Sequence, residues 1–582
     1  MDAGSATYLE ENIGGVLAKA LAEMAVVQPK DGVDFLAKWL KSYSEQEEAK
    51  IIRDEEEKAL ADERALTRTK LEEKEKVRQQ KLSEQQSLES MYNGILDKFS
   101  SSETSFEETF WKELVDVAQS ASGASAVYLG VVEQGEEGMD PPGKYISYEV
   151  ASKGSEWMTE KMLIEGTGVT WGAVTENPPE ENFQEMCLWK PPSVEPAPVE
   201  PVDGEEPPPE KPANPYYPVK VDCVTDVPAM HYFEMTRLGG YLAIPLMYQS
   251  YYTGEAYAEA KTYEEEKKAE AKRRADEEAA RLAAIEAGET PEGEAPPEPA
   301  EPPEEKPLVM TGKEIKMVLC LDTLGSNTFF SESKVMQVLE LVKACGQCKS
   351  QTEFKQVDAQ VLQVIDEDAK VAVEEQIVNA VTAIDEKMTE TIEKEEADCP
   401  DEKKDVLQKK FAFLKAVEAA KELTNVIESM KTWVWVTPEV LSVFAAACFI
   451  AGFSKEDVYP RRKTVLAWEK LKMIAEKPME LLTKLEKVEF EGPKKGLKPE
   501  HKLAFITPMS APAEMDAEKA KEVCPGFMLM FNVIQAALAY RNADLEMRKA
   551  DWTNQMKAKE EAGEEYAGPE IPALEELDDD FA

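Results

Sequence analysis

Histidine is nearly absent from this chain, which has two, His231 and His501, among 582 residues. Catalytic triads, zinc sites and proton relays that depend on histidine are therefore not expected. The chain also lacks the GxxxxGK[ST] phosphate loop, the GxSxG nucleophile turn, the HExxH zinc motif and a GxGxxG turn before a helix. Cys345 and Cys348 form one CxxC pair, but no second pair completes a zinc site. We predict that the protein is not an enzyme, with no catalytic residue, no metal ligand and no cofactor.

Basic residues are also scarce. The chain has 67 Lys and Arg against 115 Asp and Glu, a net charge of -48. This excess of negative charge repels nucleic-acid phosphates and anionic lipid headgroups, so neither a nucleic acid nor a membrane is expected as a partner. The N-terminus is acidic, unlike a secretory signal, and the longest nearly apolar run, residues 440–453, is shorter than the roughly 20 residues of a spanning helix. The eight scattered cysteines predict reduced thiols in a cytosol-like compartment.

The length of the chain predicts several folded units joined by linkers, and the pattern of elements predicts a multidomain α+β fold class. We divide the chain into a dimerising helical hairpin (1–43), a long charged spacer helix (44–104), a sheet domain with insertions at 190–215 and 253–307 (105–348), an all-α region (349–562) and an acidic disordered tail (563–582).

The N-terminal segment has the pattern of two amphipathic helices, separated by a break at residues 28–32 where Asp31 can cap the second helix. A hairpin of roughly 40 residues cannot bury its own apolar side chains, so we expect it to pair with a second copy as a four-helix dimer. The alternative is packing against its own chain. The predicted docking face comprises Leu9, Ile13, Leu17, Leu21, Phe35, Leu36, Trp39 and Leu40.

These positions, with Pro29, Asp31 and the run FLAKWL at 35–40, resemble the dumpy-thirty dimerisation and docking motif. That family is related to the docking domain of the protein kinase A regulatory subunit. The resemblance implies a homodimer or heterodimer that presents a groove to an amphipathic helix of an anchoring protein. Gly15 and Gly32 stand where the family usually has proline, which predicts weaker or differently shaped docking.

Residues 44–87 are almost entirely Glu, Lys, Arg, Ala and Gln without Gly or Pro, which predicts a long solvated helix of roughly 60 Å. Ile52, Ala59 and Leu66 are seven residues apart, but position 73 is Glu. The heptad pattern therefore ends before the three or four repeats that a coiled coil requires. We interpret the segment as a spacer.

Residues 105–348 predict an antiparallel sheet covered by helices. An amphipathic helix at 106–121 precedes the strand-like runs, and a helix at 331–345 follows them. The runs are residues 126–132, 145–150, 166–172, 219–224, 240–247 and 315–321.

The order of these elements resembles a GAF domain, on the runs GTGVTWG at 166–172, GGYLAIPL at 239–246 and VLCLDTLG at 318–325. The resemblance implies an α/β domain of a family in which some members bind cyclic nucleotides or tetrapyrroles and others bind nothing. The chain has no Asn-Lys-Phe-Asp-Glu signature and no cysteine in a convincing chromophore context. A protein-interaction block is therefore favoured over a ligand receptor.

The C-terminal region predicts helices at 411–430, 438–453 and 527–540, with the second one buried. Residues 461–477 carry a net positive charge although the chain as a whole is strongly negative. The segment has six basic residues, two acidic residues and a tryptophan. A basic amphipathic helix of this kind is typical of calmodulin targets. The competing and favoured interpretation places Trp468 in the core of its own domain. The calmodulin-binding candidates are Arg461, Arg462, Lys463, Leu466, Trp468 and Leu471.

The order of hairpin, charged helix, GAF-like domain and helical tail resembles the radial spoke protein two family of cilia and flagella. The resemblance implies a structural adaptor in the axoneme, at the spoke stalk and neck, with a role in motility regulation. Its partners would be an amphipathic helix of a spoke scaffold protein, other spoke subunits and calmodulin. Three alternatives stay open: a different axonemal projection, a sensor that binds a cyclic nucleotide and calmodulin, and a subunit of nuclear histone methyltransferase complexes.

Overall fold

The computed structural model describes residues 7, 10–100, 110–135, 141–191, 215–233, 236–286, 307–326, 328–460, 463, 465–492, 497–510 and 515–562. Within these ranges, the side chains at 84, 85, 100, 281, 284–286, 367, 368 and 504 are not described. The chain divides into two compact units, residues 1–91 and 92–582. Helices and antiparallel strands occur together, in agreement with the predicted multidomain α+β class.

The first unit begins with a helical hairpin. A π-helical turn, Glu10–Gly14, leads into α1, Gly15–Val27, and α2 begins at Gly32. Gln28 ends α1 in the left-handed region, at φ 48°, and Pro29 follows. The Asp31 carboxylate accepts hydrogen bonds from the backbone N–H of Val33 and Asp34, at 3.0 and 3.1 Å, and so caps α2. The predicted break and cap are confirmed.

Helix α2 runs without interruption from Gly32 to Ser100. Separate helices for the hairpin and the spacer were expected, and this expectation is wrong, because no Gly or Pro lies between residues 33 and 93 to stop the helix. The predicted boundary between residues 43 and 44 lies inside α2. Residues 101–109 are outside the described ranges.

The second unit contains a six-stranded antiparallel sheet, preceded by α3, Phe110–Ser122. The strands are β1 (Ala126–Gln134), β2 (Lys144–Ala151), β3 (Met162–Ile164), β4 (Val219–Val221), β5 (Tyr241–Ser250) and β6 (Lys313–Asp322). Their order in the sheet is β3-β2-β1-β6-β5-β4. The strand predictions for β1, β2, β4, β5 and β6 are confirmed within a few residues at each end.

The predicted strand at 166–172 is wrong. Gly166 and Gly168 adopt φ of 79° and 73°, a turn conformation that favours glycine. The chain then forms two short helices, α4 (Trp171–Val174) and α5 (Asn182–Glu185). The strand that occupies this edge of the sheet is β3, a few residues earlier.

Helices cover one face of the sheet. The covering helices are α3 and α7, and α7 is Glu332–Val364. Their side chains share a core with alternate residues of β1, β5 and β6, such as Leu129, Ile244 and Leu319. Helix α6, Gly254–Glu286, lies within the second predicted insertion. Ser331 caps α7, but this helix continues well past the predicted end at 345, so the predicted boundary at 348 lies inside it. Residues 192–214 and 287–306 of the insertions are outside the described ranges.

The rest of the second unit is helical. Its helices are α8 (Glu367–Asp398), α9 (Lys404–Glu422), α10 (Thr424–Glu428), α11 (Pro438–Ile450), α12 (Lys455–Val458), α13 (Trp468–Ala475), α14 (Pro478–Glu486), α15 (Leu503–Ser510), α16 (Ala517–Val523) and α17 (Pro525–Glu561). The buried helix is confirmed as α11. The single helix predicted at 411–430 is interrupted at Leu423. Among the described residues of the predicted basic helix at 461–477, the helical part is α13. The predicted acidic tail lies outside the described ranges.

The sheet and the helical region are joined by buried polar contacts. Gln360 of α7 is 4% exposed, and its side-chain oxygen accepts hydrogen bonds from the backbone N–H of Val434 and Trp435, at 2.8 and 3.1 Å. Its amide donates to the carbonyl of Trp435 at 2.6 Å. The Trp435 ring packs on Tyr257 of α6, with ring centroids 4.8 Å apart. These contacts explain why residues 92–582 form one compact unit.

Candidate docking hairpin and sheet cavity

The two helices of the hairpin are held together by few contacts. The Trp39 indole N–H donates to the Glu23 carboxylate at 2.5 Å, which links α2 to α1. A Cβ on Gly32 would lie 3.2 Å from the Met24 sulfur, so the helices approach closely near the turn. Sequence reasoning did not identify Glu23, because no local pattern shows which carboxylate of α1 lies opposite Trp39.

Most apolar side chains of the hairpin are uncovered. Ala20 is the only buried residue in the described part of residues 10–43. Ile13 is 37% exposed, Leu21 47% and Val33 81%. Leu17, Phe35, Leu36, Trp39 and Leu40 are half-buried. Leu9 lies outside the described ranges. An apolar face that a single chain leaves open is typical of a surface that is covered by association.

The second candidate site is a cavity of about 250 Å³ on the sheet face opposite α3 and α7. Aromatic side chains dominate its lining, which also contains Arg237, Asp322 and His231. The His231 ring meets the Phe233 ring edge to face at 4.7 Å. The aromatic lining consists of Tyr128, Tyr148, Trp157, Tyr232, Phe233 and Tyr241.

Burial determines the protonation of the cavity floor. Desolvation raises the pKa of Asp322 to about 6, although the N–H of Leu324, which donates to it at 3.1 Å, and the nearby charge of Arg237 partly oppose this rise. Desolvation also raises the pKa of the Cys320 thiol to about 12, so the thiol is neutral near pH 7. Tyr241 donates to this sulfur at 3.1 Å. The cavity lining therefore includes tyrosine hydroxyls and one carboxyl, and the neutral Cys320 thiol is buried behind Tyr241.

The cavity combines aromatic rings with one guanidinium and one carboxyl, but its volume is below the roughly 300–1,000 Å³ of common ligand sites. Asp322 ends β6 and Arg237 lies in the loop before β5, so the fold brings them together from distant parts of the chain. No spacing in the sequence indicated this pair. Among the described residues, no group of three or more His, Cys, Asp or Glu side chains is arranged to hold a metal ion.

The described calmodulin-target candidates do not form an exposed basic helix, because their apolar side chains pack into the core of the helical region. Trp468 is 6% exposed and donates its indole N–H to the carbonyl of Trp433 at 2.9 Å. Leu471 is fully buried, and Leu466 is half-buried against the same core. Lys463 forms an ion pair with Glu133 of β1 at 2.5 Å. Calmodulin could reach the two anchor side chains only if α13 left the core.

Arg461 and Arg462 lie outside the described ranges. In the part of the chain that is described, no helix combines the length and the apolar content needed to cross a membrane.

Comparison with known proteins finds a family match in the N-terminal segment of the chain. Residues 5–45 match the Dpy-30 motif, the dumpy-thirty motif of dimerisation and docking. The match spans α1 and the first turns of α2, which together form the hairpin. It covers the described docking residues, which are Ile13, Leu17, Leu21, Phe35, Leu36, Trp39 and Leu40. A search of curated proteins finds no significant match to the chain. The N-terminal segment is therefore similar to a module that dimerises and binds amphipathic helices.

Proposed function

We propose that this protein is a non-catalytic docking adaptor of the ciliary or flagellar axoneme. Its hairpin dimerises, with itself or with a related chain, and clasps an amphipathic helix of a radial spoke scaffold protein. Helix α2 serves as a spacer, and the sheet and helical region act as contact surfaces for other spoke subunits. In this position the protein contributes to the regulation of motility.

The observation that carries the docking part is the uncovered hairpin within the Dpy-30 match. Ile13, Leu17 and Leu21 recur at four-residue spacing, so they form one stripe along α1 and the turn before it. Two copies that bury the inner faces of their hairpins would leave such stripes side by side as an apolar groove. An amphipathic helix with apolar residues at three- and four-residue spacing fits a groove of this kind.

The axonemal part of the proposal rests on the order of the parts along the chain. A docking hairpin, a long charged helix, an antiparallel sheet domain and a helical region follow one another, as in the radial spoke protein two family. The charge of -48 supports contacts with proteins rather than with nucleic acids. Imaging of the tagged protein in ciliated cells tests the compartment, and a nuclear signal would favour the histone methyltransferase alternative.

The docking claim is tested by placing charge in the groove. The double variant Leu17→Asp with Leu21→Asp should abolish both the dimer and the capture of an immobilised amphipathic anchoring helix, because unpaired carboxylates would be buried there. The matched control is Ala18→Asp with Ala22→Asp, two exposed positions at the same spacing on the neighbouring face of α1. Light scattering and pull-down of the full chain are the readouts. Helix capture that survives the first variant would contradict the proposal.

A second candidate function is a sensor in which the sheet cavity binds a cyclic nucleotide and the segment around α13 binds calmodulin. The cavity and the position of Arg237 at its wall favour this candidate, whereas the small volume and the burial of Trp468 count against it. Calorimetry of the full chain with cyclic AMP and cyclic GMP separates the two functions. No heat of binding at high micromolar nucleotide would remove the sensor.

A further inference from the structure

Another cavity, called the C-terminal cavity below, lies within the helical region that follows the sheet. Its volume is about 370 Å³, within the roughly 300–1,000 Å³ of common small-molecule sites. The last turn of α11 forms one wall, and Gly452, at φ 86°, turns the chain away at the end of that helix. The other walls come from residues 488–490, from side chains between positions 497 and 506, and from α17.

The lining of the C-terminal cavity is mostly apolar. Its large apolar side chains, each at most 9% exposed, include Phe449, Ile450, Leu503, Ile506 and Leu538. A packed core rarely leaves a void larger than a water molecule, because the free-energy cost of an empty cavity rises with its volume. Water is a poor filling for an apolar cavity, since a buried water needs two to four polar partners. The lining therefore favours an apolar occupant.

His501 adds one hydrogen-bonding group to this lining. Its Nδ1 lies 2.9 Å from the carbonyl oxygen of Phe449, and because a carbonyl only accepts, Nδ1 carries the proton. In the neutral ring Nε2 is then an acceptor, and within the described part of the chain no N–H or O–H group donates to it. A hydroxyl group on a molecule in the cavity would supply this donor.

The charged members of the lining disfavour an anionic molecule. Arg541 is 4% exposed, and its Nη1 donates to the carbonyls of Phe490 and Gly492. The same nitrogen pairs with the Asp544 carboxylate at 3.3 Å. Glu489, an exposed member of the lining, adds a negative charge at the rim. A carboxylate would thus meet a guanidinium that already holds a carboxylate, and the loss of its hydration would not be offset.

We propose that the C-terminal cavity binds a neutral, apolar small molecule that carries a hydroxyl group, and that this hydroxyl donates a hydrogen bond to Nε2 of His501. The volume sets the size of the molecule. An apolar cavity of about 150 Å³ takes up benzene, so a cavity of about 370 Å³ fits a body of about two fused rings. This site is separate from the docking hairpin and from the sheet cavity, and the proposal does not depend on the function of either.

Binding of 2-naphthol to the full-length chain tests the proposal, because this probe combines two fused rings with one hydroxyl. Titration at pH 8, followed by naphthol fluorescence, should show saturable binding. Naphthalene lacks the hydroxyl and should compete about three- to tenfold more weakly than 2-naphthol, the usual contribution of one hydrogen bond. 2-Naphthoate should compete at least about tenfold more weakly, because its charge would be buried without a partner. Equal competition by the three compounds would overturn the assignment of a hydroxyl ligand.

Filling the cavity shows where the probe binds. Ala451 and Val488 are half-buried members of the lining on different segments, and Ala451→Phe or Val488→Phe would place a ring in the space for the ligand. Each should weaken 2-naphthol binding at least about tenfold, and a folding defect in one leaves the other informative. The matched control is Ala517→Phe, at an exposed alanine of α16, which should bind normally. Binding that survives both filled variants lies elsewhere and would overturn the proposal.

Two variants of His501 test the hydrogen bond itself. His501→Leu removes Nε2, so the preference for 2-naphthol over naphthalene should fall below about twofold. His501→Gln should largely keep the preference, because its amide N–H can donate to the Phe449 carbonyl while its oxygen accepts from the hydroxyl. A preference that persists in His501→Leu, or that is lost equally in both variants, would contradict the role given to Nε2.

Discussion

Two helices of equal length, α1 and α11, are both apolar and yet have opposite surroundings. Each has 13 residues, but α1 buries Ala20 alone whereas nine residues of α11 are buried. Leu21 of α1 is 47% exposed, and Phe444 of α11 is fully buried. Apolar composition is therefore not enough to predict whether a helix is in a core. What differs is the number of neighbouring elements in the same chain that can cover it.

Helix α11 lies among helices that supply its cover, including α15 and α17, whereas α1, within the described part of its own unit, is contacted by the first turns of α2. Burial of a large apolar side chain stabilises a fold by roughly 1.5–3 kcal/mol. The hairpin alone cannot gain this free energy from Ile13 or Leu21. The docking proposal accounts for this difference, because in it a second copy and a bound helix would cover the apolar side chains of α1.

The largest expected effect is a loss of folding stability in α11 that has no counterpart in α1. It is measured on one variant of each helix. Phe444→Ala should lower the free energy of unfolding by about 3–5 kcal/mol, because it leaves a cavity in a packed core. Leu21→Ala should change that transition by less than about 0.5 kcal/mol, since the side chain is half exposed, but it should weaken the dimer. Guanidinium unfolding and sedimentation equilibrium are the measurements. A loss of unfolding free energy in Leu21→Ala equal to that in Phe444→Ala would remove the contrast.

The sequence predicted elements well where local chemistry determines them. Asp31 and Pro29 define the hairpin turn, and the runs of β1, β5 and β6 are apolar enough to be recognised as buried strands. The strand prediction at residues 166–172 was wrong, because two glycines in left-handed conformations form a turn inside a run with a strand-like sequence pattern. The predicted hairpin boundary was also wrong, because no helix-breaking residue follows Tyr43.

Of the candidate sites, the docking face could be predicted from the sequence, whereas the surroundings of the basic segment and the cavity pair could not. The docking face follows from helical spacing, and seven of its eight residues lie in the described hairpin. The charge of residues 461–477 could not show whether the segment is an exposed calmodulin target or part of its own domain. Lys463 forms an ion pair with Glu133, which is more than 300 positions away in the chain. The cavity pair of Arg237 and Asp322 depends on strand order, which spacing alone does not give.

The two units also differ in how their acidic side chains are exposed to solvent. In the hairpin, Glu23 is exposed to solvent, whereas Asp322 of β6 is 6% exposed and burial raises its pKa to about 6. A raised carboxyl pKa means that the folded chain binds this proton more tightly than the unfolded chain, whose ordinary value is 3.8. The charged form therefore destabilises the fold above about pH 6, and this loss diminishes as pH falls from about 6 to 4.

Replacement of the carboxyl by an amide tests this contribution. Asp322→Asn should raise the free energy of unfolding by about 2–3 kcal/mol at pH 7, and the gain should vanish near pH 4. The control is Asp226→Asn, at an exposed acid in the same unit, which should change little at either pH. Denaturant unfolding at several pH values is the measurement. A gain that is equal at pH 4 and pH 7 would exclude desolvation of the charge as its cause.

The smallest effect concerns the backbone of the hairpin itself. Gly15 is the first residue of α1, and an added Cβ there would meet no atom within 4 Å. Gly15→Ala should therefore stabilise α1 by about 0.5–1 kcal/mol, because alanine loses less conformational entropy in a helix. Hydrogen exchange of the α1 amides in the full chain should slow about two- to fivefold. Gly32→Ala should gain less, since its Cβ would press on Met24 at 3.2 Å. An equal or larger gain at Gly32 would mean that the contact between the two helices near the turn yields easily, and that the hairpin can change shape when it docks.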